Sequence, residues 1–248
     1  MHQFFVEPCQ IAGKRITITG KDVNHIVHVL RMKPGEELSV SNGVDGKEYR
    51  CQIECFTDGE VQCRLRFIKE DGLELPARVS LFQGLPKGDK MELIIQKAVE
   101  LGVFEVFPMA TKRAVVRLEG KREAARIARW QSIAEAAAAQ SRRHIIPQVH
   151  PVISLKEAVA LAARADCGLI PYELAEGMGR TRELLGGIHP GQSVAVMIGP
   201  EGGFEEEEIA LAQAAGIWPI TMGRRILRTE TAGLTMLAWI MYQLEAEA

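Results

Sequence analysis

The chain has 248 residues, 47% of them hydrophobic and 25% charged, with a formal net charge of −2. That length buries a real core in one large domain or two smaller ones, and the near-neutral balance excludes a protein that is basic all over. No apolar run reaches the roughly 20 residues that cross a bilayer, and the start MHQFFVEPCQ has no basic-then-apolar leader, so a cytoplasmic protein without membrane contact is expected.

Residues up to about 70 read as β-rich: Arg15–Thr19, Leu38–Val40, Tyr49–Phe56 and Val61–Ile68 alternate in polarity, with Gly-containing turns between them. Asp58-Gly59 is the best hairpin signal. One short helix is expected from Asp22 as N-cap to a stop at Pro34-Gly35. Cys51, Cys55 and Cys63 fall in this alternating region with no CxxC pair or histidine set beside them, so they read as strand residues and no metal is expected. In outline this is a small barrel.

Asp71 to Pro76 is a linker by composition, which divides the chain into 1–72 and 73–248. Beyond it, apolar strands alternate with helices: VSLFQGL, FEVFPMA, CGLIPYE, SVAVMIGP and IWPITMG. That alternation predicts an α/β domain with a parallel sheet. Asp89 and Glu92 have capping-box spacing, and Glu205 to Glu208 suit the positive end of a helix. His144, His150 and His189 sit near prolines and read as surface or capping residues.

From Lys112 to Arg143 the chain carries nine basic residues against three acidic ones. On a helix from about Lys121 to Arg142, Arg122, Arg126 and Arg129 share one face. Such a stripe is either a solvated face or a set of phosphate contacts. The Pro/Gly turn at Ile198 to Phe204 (IGPEGGF) allows close backbone approach to a ligand, but it matches neither the Walker pattern nor the dinucleotide one. Spacing alone leads to an α/β enzyme with a ligand site on its last two crossovers.

IGPEGGF taken with MGRRILRTETAG at Met222 to Gly233 resembles the RsmE family of SPOUT methyltransferases. The likeness extends to QKAVELGV at Gln96 to Val103, the segment around Arg113, EAAAAQSRRHIIP at Glu135 to Pro147, LIPYE at Leu169 to Glu173, and HIVHVLRMKPGEEL near the N-terminus. It implies N3-methylation of a uridine in 16S ribosomal RNA of the small subunit, with S-adenosylmethionine as cofactor. It further implies a PUA-like barrel over 1–72, a SPOUT domain over 73–248 with a deep trefoil knot, and a homodimer joined through Leu234 to Leu244. Relatives carry an arginine just before the aromatic pair Phe4-Phe5, where this chain has Met1-His2-Gln3, and more often leucine where it has Met222.

By the same resemblance, Leu169, Pro171, Ile198, Gly199, Pro200, Gly202, Met222, Gly223, Ile226, Leu227 and Thr231 are the expected cofactor residues. Arg225 and Arg228 are expected to hold the negative charge that develops on uracil, since a guanidinium cannot be a base. Glu201 or Glu230 is either that base or an orienting partner for an arginine, and Glu201 is placed in the catalytic set. The expected RNA contacts are Lys97, Arg113, Arg122, Arg126, Arg129, Arg142 and Arg143. Two rival readings keep the fold: methylation of ribose or transfer RNA, and a non-catalytic RNA-binding assembly factor.

Overall fold

The computed structural model describes residues 2–70 and 73–245. Met1, the Asp71-Gly72 part of the linker and residues 246–248 lie outside the described residues. Two compact units form: one reaches Glu74 and also takes Ala138–Ile146, and the other comprises Leu75–Ala137 and the chain from Pro147 onward. No helix among the described residues is long and apolar enough to cross a membrane.

In the first unit, β1 (Gln3–Phe5), β2 (Ile11–Ala12), β3 (Arg15–Thr19), β4 (Glu37–Ser41), β5 (Glu48–Thr57) and β6 (Glu60–Lys69) form a sheet in the order β1-β4-β5-β6-β3-β2. The predicted hairpin is there, with Thr57 opposite Glu60 across Asp58-Gly59. The inward residues Ile16, Ile18, Leu38, Val40, Cys51, Ile53, Val61 and Cys63 are essentially fully buried, each contributing roughly 1.5–3 kcal/mol if it is a large aliphatic. All five cysteines are free.

The short helix departs from expectation. Gly20 leaves β3 at φ 73°, ψ −142°, a region only glycine occupies, so the helix α1 (Lys21–Asn24) is capped there and not at Asp22. It continues as a π turn over His25–Val29 and ends before Pro34-Gly35.

The second unit runs β7 (Arg78–Gly84), α2 (Lys90–Glu100), β8 (Glu105–Ala110), α3 (Gly120–Gln140, here as far as Ala137), β9 (Gln148–Val149), β10 (Ile153–Ser154), α4 (Leu155–Ala162), β11 (Cys167–Pro171), α5 (Met178–Gly186), β12 (Ser193–Ile198), α6 (Glu206–Ala214), β13 (Trp218–Ile220) and α7 (Thr229–Glu245). Its sheet has the order β10-β8-β7-β12-β11-β13, with β9 beside β8. All its pairings are parallel, as the alternation predicts. Val194 to Ile198 of β12 are buried throughout because helices cover both faces, which is why the strand reads as one apolar run. The helices α4 and α5 are additions to the predicted set.

Asp89 does sit at the N-cap of α2, but its side chain makes no capping bond. Glu92 faces Arg129 instead, so the predicted capping box is absent and a charged pair replaces it. At α6 the expectation holds: Glu205 caps, Glu206 to Glu208 fill the first turn, and Glu205 and Glu208 form a capping box. His189 is exposed as predicted, but the other two histidines are less superficial. His144 is buried against Ser41, at 3.0 Å, and His150 stacks on Phe107 while its Nε2 meets Glu105 at 2.8 Å.

Candidate active site

Parallel sheets present ligands at the carboxyl ends of their strands. Here β11, β12 and β13 end at Pro171, Ile198 and Ile220, and the three loops that follow enclose a cavity of about 530 Å3. Of the expected cofactor residues, Pro171, Ile198, Gly199, Pro200, Gly202, Met222, Gly223, Ile226 and Leu227 line it, as do Glu201, Arg225 and Arg228.

Two of the expected cofactor residues do not. Leu169 is fully buried inside β11, because that strand lies between β12 and β13 and its side chain belongs to the core. Thr231 lies in the first turns of α7 with its side chain exposed and its carbonyl taken by the Thr235 hydroxyl at 2.8 Å. Ile226 lines the cavity but is 90% exposed, so it forms a rim and not a floor. The sequence reading missed Tyr172, Glu173, Gly203, Thr221, Arg224, Thr229 and Ala232. Tyr172, Glu173 and Thr229 lie inside recognisable motifs and carry no signal that sets them apart from their neighbours.

The glycine-rich loop is heavily braced. A Cβ on Gly84 would stand 2.7 Å from the ring nitrogen and Cδ of Pro200, so only glycine lets β7 end against this turn. The Gly203 N–H donates to the Pro200 carbonyl at 2.9 Å, closing the turn. Arg113 donates from Nη1 to the Gly202 carbonyl at 2.8 Å and from Nε to Glu205 at 2.9 Å. Hydrogen bonding by Arg113 in turn holds the Glu205 carboxyl below its ordinary value. Arg113 thus supports the turn while its side chain stays exposed.

Glu201 is also engaged. Its carboxylate accepts from Lys90 Nζ at 2.8 Å and from the Lys87 N–H at 3.1 Å. Partial burial pushes this carboxyl up, but the Lys90 hydrogen bond and loop amides outweigh it and hold it below its ordinary value. Lys90 lies 3.7 Å from Glu230 as well. One Glu230 oxygen is buried with no hydrogen-bond partner.

The second loop, 221–228, differs. Arg224, Arg225 and Arg228 are exposed and enter no ion pair among the described residues. The alternative in which Arg228 pairs with Glu201 or Glu230 is not what the fold adopts, because Lys90 takes that place. Among the described residues the backbone N–H groups of Met222 and Leu227 enter no hydrogen bond, which leaves them open to a ligand.

The other expected RNA contacts fall into two groups. Arg122 and Arg142 are exposed. Lys97 meets Glu100 at 2.8 Å, Arg126 meets Asp89 at 3.6 Å, and Arg129 meets Glu92 at 2.5 and 2.7 Å. Arg143 is a correction: it is 4% exposed and clasps Glu74 at 2.5 and 2.9 Å. Glu74 also accepts the N–H groups of His144 and Ile145. A guanidinium this buried has to be paired, so it cannot meet RNA. Among the described residues no cluster of side chains able to hold a metal ion occurs.

Residues 73–241 match the model of an RNA methyltransferase domain, and residues 18–66 match that of an RNA methyltransferase PUA domain. The chain is 36% identical over 252 residues to the ribosomal RNA small subunit methyltransferase E of Bacillus subtilis, covering 99% of this chain and 98% of that protein. It is similar to the crystal structure of a ribosomal RNA small subunit methyltransferase E from Neisseria gonorrhoeae bound to S-adenosyl methionine, at 32% identity and a TM-score of 0.81, covering 96% and 95% of the two chains. A methyltransferase of Legionella pneumophila, solved with the same cofactor, gives 32% identity and a TM-score of 0.80 with 96% of each chain covered. With a PUA-like domain ahead of a parallel α/β domain and agreement along nearly its whole length, the chain belongs to the ribosomal RNA small subunit methyltransferase E family.

Proposed function

We propose that this protein transfers the methyl group of S-adenosylmethionine to N3 of a uridine in 16S ribosomal RNA of the small subunit, in the cytoplasm. The observation that carries the reading is the juxtaposition of a braced, backbone-rich turn with unpaired arginines on the rim of one cavity. The cavity has the size of a small-molecule site, and the open N–H groups of Met222 and Leu227 suit a heterocycle read by backbone groups. The residues present therefore fit the cofactor.

When bound, the cofactor supplies an electrophilic methyl group for in-line displacement, which asks of the protein chiefly alignment. Pro171, Ile198, Gly199, Pro200, Gly202, Met222, Gly223 and Leu227 shape the pocket wall, with Ile226 at its edge. Arg225 and Arg228 stabilise the charge that spreads over N3 and the two carbonyl oxygens once the N3 proton leaves. Their freedom from acidic partners supports this role. Glu201, engaged by Lys90 and the Lys87 amide, is assigned to holding its loop and not to taking the proton.

Residues 1–72 would serve as the RNA-holding domain and 73–248 as the catalytic SPOUT domain with its trefoil knot. In support of the knot, β12 lies between β7 and β11, and Gly84 admits the Gly199-Pro200 turn at backbone distance. A homodimer is supported by the groove between α5 and α7, lined by Met178, Leu185, Trp239 and a 75% exposed Tyr242. Of the basic residues, Arg122 and Arg142 are the freest to meet phosphate.

Nucleoside digestion of 16S ribosomal RNA from a deletion strain tests the reaction. Loss of N3-methyluridine, restored by the wild-type chain, is expected. Unchanged N3-methyluridine with a lost 2′-O-methyl group or a lost transfer-RNA mark would overturn the assignment in favour of another methylation. Loss of none, with no cofactor binding by calorimetry, would leave an RNA-binding assembly factor.

A further inference from the structure

A chain of three polar groups lies behind the cavity, and neither of its two side chains belongs to the expected site. Gln83, the next-to-last residue of β7, is fully buried. Its Nε2 donates to the Gly84 carbonyl at 3.0 Å and to Thr229 Oγ1 at 2.9 Å. Thr229, 5% exposed and the first residue of α7, donates its hydroxyl to the Gly199 carbonyl at 2.6 Å. A hydroxyl has one proton to give, so the direction of the chain is fixed: Gln83 to Thr229 to Gly199.

The link joins two segments that follow different strands. Gly199 opens the glycine-rich turn, and Thr229 directly follows Arg228. The Gly199 carbonyl has no backbone partner among the described residues, so the Thr229 hydroxyl satisfies it and sets the plane of the Gly199-Pro200 peptide, the wall of the cavity. The Gln83 Oε1 atom, meanwhile, is buried with no partner. Such an atom is a cost that an aliphatic side chain would avoid. The amide is nonetheless accommodated, since α7 presents Gly233 where a Cβ would come within 3.4 Å of that oxygen. Packing alone gives no reason for glutamine here; the hydrogen bond to Thr229 does.

We infer that Thr229 and Gln83 are positioning residues of the methyl-transfer site, fixing the cofactor-binding turn relative to the loop that carries Arg225 and Arg228. This rests on the cofactor reading above, and the two separate in experiment. Full-length wild type, Thr229→Val, Thr229→Ser and Gln83→Leu are compared by calorimetry with S-adenosylmethionine and S-adenosylhomocysteine, alongside thermal midpoints and kcat and KM with RNA. Valine keeps the volume and removes both hydrogen bonds, so a loss of cofactor affinity of about 10-fold is expected, the size of one hydrogen bond. Serine keeps the hydroxyl and should return affinity to near wild type. Gln83→Leu should weaken binding less, and should add little on top of Thr229→Val because both act through one chain.

A Thr229→Val protein with a lower thermal midpoint but wild-type affinity and KM for the cofactor would show the chain to be core packing only and would overturn the inference. Equal weakening by the serine and valine variants would do so too. Wild-type protein that binds neither ligand would instead overturn the cofactor reading. Should Thr229→Val not fold, Gln83→Leu against wild type decides by the same affinity measurement.

Discussion

The arginines of the 222–228 loop and four of those in the 113–143 region look alike in the sequence and differ in the fold, whereas Arg122 and Arg142 stay exposed. Arg224, Arg225 and Arg228 have no acidic partner among the described residues and rim the cavity. Arg113, Arg126, Arg129 and Arg143 each face a carboxylate: Glu205, Asp89, Glu92 and Glu74. The difference teaches that basic density marks a region, while the supply of nearby acid decides which cations remain for a polyanion. Exposed ion pairs are worth little and exchange readily, so Arg126 and Arg129 remain within reach of RNA at small cost, but the buried Arg143 does not.

The contrast can be broken most sharply at Arg228. Arg228→Ala should lower kcat at least about 100-fold, the usual loss for a charge-stabilising donor, while S-adenosylmethionine affinity changes little. Normal turnover in that variant would remove the unpaired arginines from catalysis. Next in size, Arg143→Met strands the Glu74 carboxylate and should destabilise the first unit by roughly 3–5 kcal/mol. Thermal unfolding checks this, and a variant that melts normally yet loses RNA affinity would return Arg143 to the RNA-contacting set.

Arg113→Met releases the Gly202 carbonyl and should weaken cofactor binding about 10-fold, with RNA affinity at saturating cofactor less affected. The reverse pattern would make Arg113 an RNA contact after all. Neutralising Arg122, Arg126 and Arg129 together should give the smallest change, flattening the salt dependence of RNA binding by roughly one unit of slope for each phosphate no longer neutralised. An unchanged slope would leave the stripe a solvated face.

The Glu201–Lys90 pair adds a pH dependence. A carboxyl depressed on folding stabilises above its unfolded value and loses that contribution as pH falls through the folded one. Since the Glu201 carboxyl is held below its ordinary value, its hold on the loop should be complete at neutral pH and disappear only in acid. A cofactor affinity that changes near neutrality in wild type but not in Glu201→Gln would contradict this.

The parallel sheet and the β-rich start were legible because period-two and apolar-run patterns record burial directly, while the 198–204 and 222–233 loops stood out by their motifs. The capping box of Ser154 and Glu157 marks the start of α4 locally, whereas α5 follows a left-handed Gly177 with no side-chain cap and carries no such mark. The segment 138–146 reads as the end of a basic helix, and only the long-range clasp of Glu74 on Arg143, His144 and Ile145 reveals where it packs. Within the site, backbone-shaping glycines were visible as residue types. The partners of Arg113, Glu201 and Thr229 were not, because each lies in a different strand or loop distant in sequence.

Gly84 has a further consequence. Behind the cavity wall it packs directly against the Gly199-Pro200 turn, with no space for a side chain. An inhibitor resting on that turn would touch a surface backed by main chain, which substitution at Gly84 cannot remodel without moving the turn itself. Escape from such a compound would have to arise in the 222–228 loop, where exposed side chains are free to vary, and every change there falls beside the arginines proposed to serve the reaction.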